Sequence, residues 1–325
     1  MKILRDATAE ASTLAVSRND MTDMTDESVC FLGLRFDTGS IEEAACNILT
    51  ETHGHFRYIV TPNVHLMVRL LEDPGTMRPL YERAWRVFCD SRVLSRLARV
   101  SGIGLLPVIT GSDLTADLMT RAAKRGLTIA VIGPTEAACA RLQEKYPGLS
   151  VVFNTPKMGF IRSEFEIQKC VDFVLKAQAP LVFLALGSPQ QEILAGRVAD
   201  HPQARGIGLC VGASIDFLTG AQSRAPVWVQ ELGLERSYRL LSDPQRFARR
   251  YLIESPKIFY FVWLEWKKDM PSLSARLGLS LRALRIGHWW IAAVAAVAGR
   301  DIPGRAKGAE TDLAPAGSAK QSKLP

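Results

Sequence analysis

A carboxylate closes the run Arg86-Val87-Phe88-Cys89-Asp90. At the tip of a strand, and partly desolvated, such a group can take a proton from a sugar hydroxyl as that oxygen attacks. Asp90 could equally cap the helical pattern that opens at Ser91-Arg92-Val93-Leu94, and the spacing leaves both roles open. Gly187-Ser188-Pro189-Gln190-Gln191-Glu192 follows the strongest strand pattern of the chain and opens a helix. A Ser cap, an early Pro and backbone N–H groups without helical partners would make that start an anion site. Gln191 could then hydrogen-bond a sugar or a phosphate; the plainer alternative is a capped turn. Gly111-Ser112-Asp113 is a similar helix start, with Asp113 as a plausible cap.

Basic residues form a second group: Arg224, Arg239, Arg246, Arg249 and Arg250. The last three are spaced i, i+3, i+4 and share one helix face. A guanidinium fork pairs with phosphate oxygens in bidentate fashion, so several on one face suit a diphosphate. Salt bridges to the body of the protein are the bland alternative.

Short apolar runs must position these groups. They are YIVTPN (58–63), VFCDS (87–91), LTIAVIGPT (127–135), LSVVFNTP (149–156), PLVFLALGSP (180–189) and IGLCVGASIDF (207–217). Stretches with 3.6-residue spacing separate most of them. Apolar strands alternating with helices predict an α/β, Rossmann-like core: a mostly parallel sheet covered by helices, with a basic helical C-terminal appendage. In such sheets ligands bind at the carboxyl ends of the strands. Those ends carry Thr61-Pro62-Asn63, Asp90-Ser91, Gly133-Pro134-Thr135, Gly187 to Glu192, and Gly212-Ala213-Ser214. Turn residues end any strand, but all of these together suit one pocket.

The chain divides by texture. A polar, mobile leader is expected over 1–27, the α/β core over 28–222 and the basic appendage over 223–272. An apolar and basic segment, suited to a membrane surface, follows over 273–300, and a disordered tail over 301–325. From Arg239 to Glu310 there are 13 Lys and Arg against 6 Asp and Glu, a surplus that equals the +7 of the whole chain. The same region holds IFYFVWLEW (258–266) and IGHWWIAAVAAVAG (286–299). The latter is shorter than the roughly 20 residues that span a bilayer. Basic residues beside Trp-rich apolar runs suit an anionic membrane surface; helices closing the core, with their charges solvated, are the alternative.

Several chemistries are disfavoured. With 325 residues, 47% of them hydrophobic, the chain can bury a core, and 6 Cys are too few for a disulfide scaffold. No CxxC or His/Cys cluster suggests structural zinc. The motifs GxxxxGK[ST], HExxH and GxSxG are missing. GIGLCVG (206–212) lacks the dinucleotide spacing, which counts against an NAD-linked oxidoreductase. No Asp-x-Asp occurs, a spacing that commonly holds a divalent metal under a nucleotide-sugar diphosphate. No metal, cofactor or nucleic-acid partner is expected.

The ordered series TPN, Asp90, GSD, YPG, GSPQQE, GASIDFLTG, RAP and YRL–P–R–RRY, over about residues 29–252, resembles the WecG/TagA/CpsF glycosyltransferases, glycosyltransferase family 26. The resemblance implies an inverting, metal-independent transfer of a sugar from a UDP-sugar to a polyprenyl-diphosphate-linked sugar. It also implies work at the cytoplasmic face of the bacterial inner membrane, in exopolysaccharide or surface-glycan synthesis. By position, Asp90 is similar to the family's general base, and Thr61, Asn63 and Gln191 to its pocket residues. Gly111, Ser112, Asp113, Gly187, Glu192 and Asp216 are expected to line the same substrate site. Arg224, Arg239, Arg246, Arg249 and Arg250 are expected over the diphosphate. The chain departs from the family at Ser91, where Gly is usual, at Arg236, where Trp is usual, and at His65, where an acid is frequent. Homo-oligomerisation stays open, as does a non-catalytic nucleotide-binding module docked to membrane by its basic tail.

Overall fold

The computed structural model describes residues 28–221, 245 and 248–277, with side chains as far as 268. The leader, Arg224, Arg239, Arg246, the stretch 286–299 and the tail 301–325 lie outside the described residues.

The described residues open with a hairpin that the sequence did not announce, β1 (Ser28–Phe31) and β2 (Leu34–Asp37), paired antiparallel. Its two turn residues, Leu32 and Gly33, have φ of 54° and 70°. Two left-handed residues in a two-residue turn match the twist of the flanking strands. For Leu32 that conformation costs about 1–2 kcal/mol. Its side chain is only 3% exposed, and burying a Leu contributes about 1.5–3 kcal/mol in return.

Six further strands are β3 (Arg57–Val60), β4 (Arg86–Val87), β5 (Thr128–Ile132), β6 (Ser150–Asn154), β7 (Leu181–Leu184) and β8 (Ile207–Cys210). They form one sheet in the order β4-β3-β8-β7-β5-β6, and every pairing is parallel. This is the α/β, Rossmann-like architecture that the apolar runs predict. Every residue of β7 and β8 is buried, as two covered faces require.

Alternate strand residues face two cores. Tyr58, Val60, Ala130, Ile132, Val182, Leu184 and Cys210 point to one. Its helices are α2 (Val64–Glu72), α3 (Pro74–Glu82), α4 (Arg92–Val100), α7 (Glu164–Ala177) and α8 (Gln190–Ala199). Ile59, Ile129, Val131, Leu181, Phe183, Ile207 and Leu209 point to the other. There lie α1 (Ile41–Thr50), α5 (Gly111–Lys124), α6 (Glu136–Lys145) and the short α9 (Ser214–Leu218). The chain leaves β3 outward to β4, and β5 outward to β6 on the opposite side, with β8 and β7 between them. Of neighbouring strands, β5 leads to β6 while β7 leads the other way to β8, and connections that diverge from adjacent strands leave a ligand crevice at their carboxyl ends.

The described part of the appendage is a π-helical turn, Arg249–Glu254, followed by α10 (Lys257–Leu277). The division expected at 272–273 falls inside α10. One face of α10 closes the first core: Ile258 is 1% exposed, and Phe261 and Val262 pack beside it. Lys257 Nζ lies 2.8 Å from Glu72 Oε1 of α2. The other face leaves Phe259 at 53% and Trp266 at 42% exposure.

Candidate active site

Four connections at the carboxyl edge carry the expected site residues, and the fold draws them into one chain of neighbours. Beyond β4 the strand continues as a bridge between Cys89 and Val108, and Ile109 N–H donates to the Cys89 carbonyl at 3.0 Å. This pairing sets the start of α5 beside Asp90. On the opposite flank, Asp90 N–H donates to the Pro62 carbonyl at 3.1 Å. Asp90 is half-buried between these two segments. It is not the cap of α4: Ser91, 5% exposed, accepts from Leu94 N–H through its own Oγ. The N-cap position of α4, which the spacing left open, belongs to Ser91.

Asn63 caps α2, its Oδ1 accepting from His65 and Leu66 N–H at 3.1 and 3.3 Å. That commits the carbonyl oxygen and leaves the Nδ2 group as the donor suited to a ligand. Thr61 Oγ1 abuts the first residue of α5: a Cβ added at Gly111 would lie 2.7 Å from it and 3.8 Å from Ser214 Oγ. A side chain at 111 would collide with Thr61, so glycine lets the start of α5 close on the end of β3, while the Ser214 contact is of ordinary length. The cap of α5 is Thr110, whose Oγ1 accepts from Asp113 N–H at 3.1 Å. Asp113 is therefore a first-turn residue and not the cap: its own N–H is the one that Thr110 satisfies. Ser112 Oγ meets Thr110 Oγ1 at 3.1 Å. Asp216 lies in the first turn of α9.

The β7–α8 turn differs from its expected form. Ser188 does not cap α8; the residue at that position is Pro189, which offers no side-chain acceptor. Gly187, at φ 74°, lets the turn fold back so that Gln191 N–H donates to the Gly187 carbonyl at 3.0 Å. Arg69 of α2, which sequence reasoning did not single out, holds the same turn by donating from Nη1 to the Ser188 carbonyl at 3.0 Å.

Gln191 and Glu192 are 4% and 1% exposed. Gln191 Oε1 accepts from Gly212 N–H at 2.9 Å, and its Nε2 donates to Glu192 Oε1 at 3.0 Å. Tyr81 OH also donates to Glu192 Oε1, at 3.3 Å. Burial raises the Glu192 pKa above the ordinary carboxyl value, opposed by these hydrogen bonds. Burial and the nearby Glu192 push the Tyr81 phenol and the Cys210 thiol well above their usual ranges. Nothing in the spacing of Tyr81 could have marked it for this group.

Of the basic series, Arg249 and Arg250 fall among the described residues, at the rim of α2. Arg249 Nε lies 3.2 Å from Glu254 Oε1, and its side chain is 83% exposed. Glu254 Oε2 is also 3.2 Å from His65 Nδ1, two residues beyond the Asn63 cap. Burial pushes the His65 imidazole down to about 4, and the charges of Arg250 and Arg69 act in the same sense. The turn that bears Arg249 and Arg250 is thus fastened to the end of α2 that opens the crevice.

Among the described residues no three His, Cys, Asp or Glu side chains cluster as metal ligands, and no helix is long and apolar enough to cross a membrane. What the edge does present is the half-buried carboxylates of Asp90, Asp113 and Asp216, several hydroxyl and amide groups, two helix starts and a basic rim. That set suits a polyhydroxylated, anionic substrate. A model of the glycosyl transferase WecG/TagA/CpsF family matches residues 29–271, which take in the whole sheet, every connection just described and most of α10. The chain belongs to the WecG/TagA/CpsF family of glycosyl transferases.

Proposed function

We propose that this glycosyltransferase moves a hexose, an N-acetylhexosamine or its uronic acid from a UDP-sugar to a polyprenyl-diphosphate-linked sugar, with inversion. The observation that carries the reading is the grouping of Asp90 with Pro62, Thr61 and the Gly111 helix start at the carboxyl edge of the sheet. Asp90 accepts the proton of the acceptor hydroxyl as that oxygen attacks the anomeric carbon from the face opposite UDP. The C–O bond to the diphosphate breaks, and negative charge grows on the leaving group while the sugar ring becomes cationic. General-base assistance of this kind is worth about 10²–10⁴-fold.

The leaving diphosphate needs positive partners. The start of α5 offers N–H groups beside Thr61, and helix starts favour anions. Arg249 and Arg250, with Arg224, Arg239 and Arg246 of the same basic series, are the guanidinium donors assigned to it, in a metal-independent reaction. Thr61, Asn63, Ser112, Asp113 and Asp216 are assigned to the sugar and nucleoside. The exposed face of α10, with Phe259, Trp266 and the adjacent Lys267 and Lys268, supports peripheral contact with the cytoplasmic surface of the inner membrane, where a lipid-linked acceptor for exopolysaccharide or surface glycan would lie.

The test is a product screen across labelled UDP-sugars with a short-chain polyprenyl-diphosphate sugar as acceptor. Transfer of label to the lipid, with an inverted anomeric linkage by NMR, is the expected result. Absence of transfer from every UDP-sugar would overturn the donor class, and retention of configuration would overturn the single-displacement role of Asp90.

A further inference from the structure

A residue inside a binding motif need not touch what the motif binds. Gln191 is one of the expected ligand residues, yet both ends of its amide are engaged within the protein. The sense of that amide is fixed. Turned over, its nitrogen would face the Gly212 N–H and its oxygen would face Glu192 Oε1, two repulsive contacts in place of two bonds. Gly212, two residues past β8, has φ 54°, a left-handed conformation that leaves its N–H aimed at Gln191. Two residues on, Ser214 Oγ donates to the Val211 carbonyl at 2.7 Å and lies beside Gly111. The path from Gln191 therefore runs through the β8–α9 turn to the contact where Thr61, Gly111 and Ser214 meet.

Behind Gln191 stand Glu192 and Tyr81. Glu192 Oε1 accepts two hydrogen bonds, and the Ser188 hydroxyl and the Glu192 backbone also act on this carboxyl, against the rise that burial causes. Even so, an ionised carboxylate buried this deeply is costly. The cost is lower for a protonated group, and burial raises the Glu192 pKa in that direction.

We propose that Tyr81 and Glu192 are positioning residues: buried together, they hold the Gln191 amide in one orientation, and through it fix the β8–α9 turn that forms one wall of the donor site. Neither side chain touches the substrate. The inference rests on the reading of this edge as a nucleotide-sugar site, and its test separates the two.

The test is a double-mutant cycle on the full chain, read as donor KM and kcat with the UDP-sugar and acceptor that the wild type uses. Tyr81→Phe keeps the ring and removes one hydrogen bond; donor KM rises about three- to tenfold and kcat changes little. Glu192→Ala raises donor KM further, and Glu192→Gln, which can present an oxygen in the place of Oε1, recovers most of that loss. In a Gln191→Ala background, Tyr81→Phe has no further effect, because its route is already cut. Additive effects of Tyr81→Phe and Gln191→Ala, or no recovery in Glu192→Gln, would overturn the proposal. Amide hydrogen exchange supplies a readout independent of turnover: Tyr81→Phe and Glu192→Ala speed exchange at Gly212 and leave β7 unchanged. Unchanged exchange at Gly212 likewise overturns the proposal. A wild type without transfer activity but with Gly212 exchange responding to Tyr81→Phe would overturn the donor reading and leave the positioning pair standing.

Discussion

The amide of Asp90 is hydrogen-bonded to the carbonyl of Pro62, so the residue at the end of one strand is registered against the turn that ends its neighbour. The link is through the backbone and survives a change of side chain. Asp90→Asn should therefore melt within a few degrees of the wild type while its transfer rate falls by about 10²–10⁴-fold. A rate near that of the wild type would remove Asp90 from the role of base.

Gly111 is where three connections touch, and the space for its missing Cβ is already claimed by Thr61 Oγ1 at 2.7 Å. Gly111→Ala must turn the Thr61 hydroxyl off its rotamer or push α5 away, at a cost of about 1–3 kcal/mol. Donor KM should rise roughly tenfold, and Thr61→Ser in the same chain, with its γ-methyl gone and its hydroxyl freer to rotate, should return part of it. Steady-state kinetics on the single and double variants check this, and an unchanged KM in Gly111→Ala would separate the α5 start from donor binding.

His65 sets a pH dependence of stability. In the unfolded chain its imidazole titrates near 6.5; in the fold burial, Arg250 and Arg69 push it down to about 4. Between those values the unfolded chain binds a proton that the folded chain refuses. Stability is thus level above about pH 6.5 and is lost as pH falls towards 4, by at most about 3 kcal/mol. Melting temperatures across pH 4–7 should fall more steeply in the wild type than in His65→Gln, and equal slopes would assign the acid sensitivity to other groups.

Cysteine reactivity should report the two cores. Cys30 and Cys46 are exposed, whereas burial pushes the Cys89 thiol to about 12 and those of Cys139 and Cys170 to about 11. Cys210, wholly enclosed beside Glu192, is raised further. The thiolate is the reactive form. Brief alkylation at pH 8 should label Cys30 and Cys46 alone by peptide mass spectrometry. Labelling of Cys210 in the native protein would mean that the packing behind Gln191 opens readily.

The parallel strands were legible because each is buried on two faces and so reads as an unbroken apolar run, as Leu181–Leu184 and Ile207–Cys210 do. The first hairpin was not, because its turn is Leu32-Gly33 and lacks the Asn-Gly or Asp-Gly signature, and a buried leucine there meets the strain of a left-handed turn. Strand-end logic brought Thr61, Asn63, Asp90 and Gly111 to one edge, but the caps went to Thr110 and Ser91, single hydroxyls beside better-known candidates. Partnerships between distant residues, such as His65 with Glu254 or Tyr81 with Glu192, leave no trace in local spacing. They exist only once α2, α3 and α8 share a face of the sheet.

The closing helix has a mechanical meaning. Its inward face is wedged by Ile258 and tied by Lys257 to Glu72, at the far end of the same helix whose first residues follow Asn63. A surface that gripped the aromatic rings on its outer side would therefore pull on a lever whose other arm is the helix that Asn63 caps.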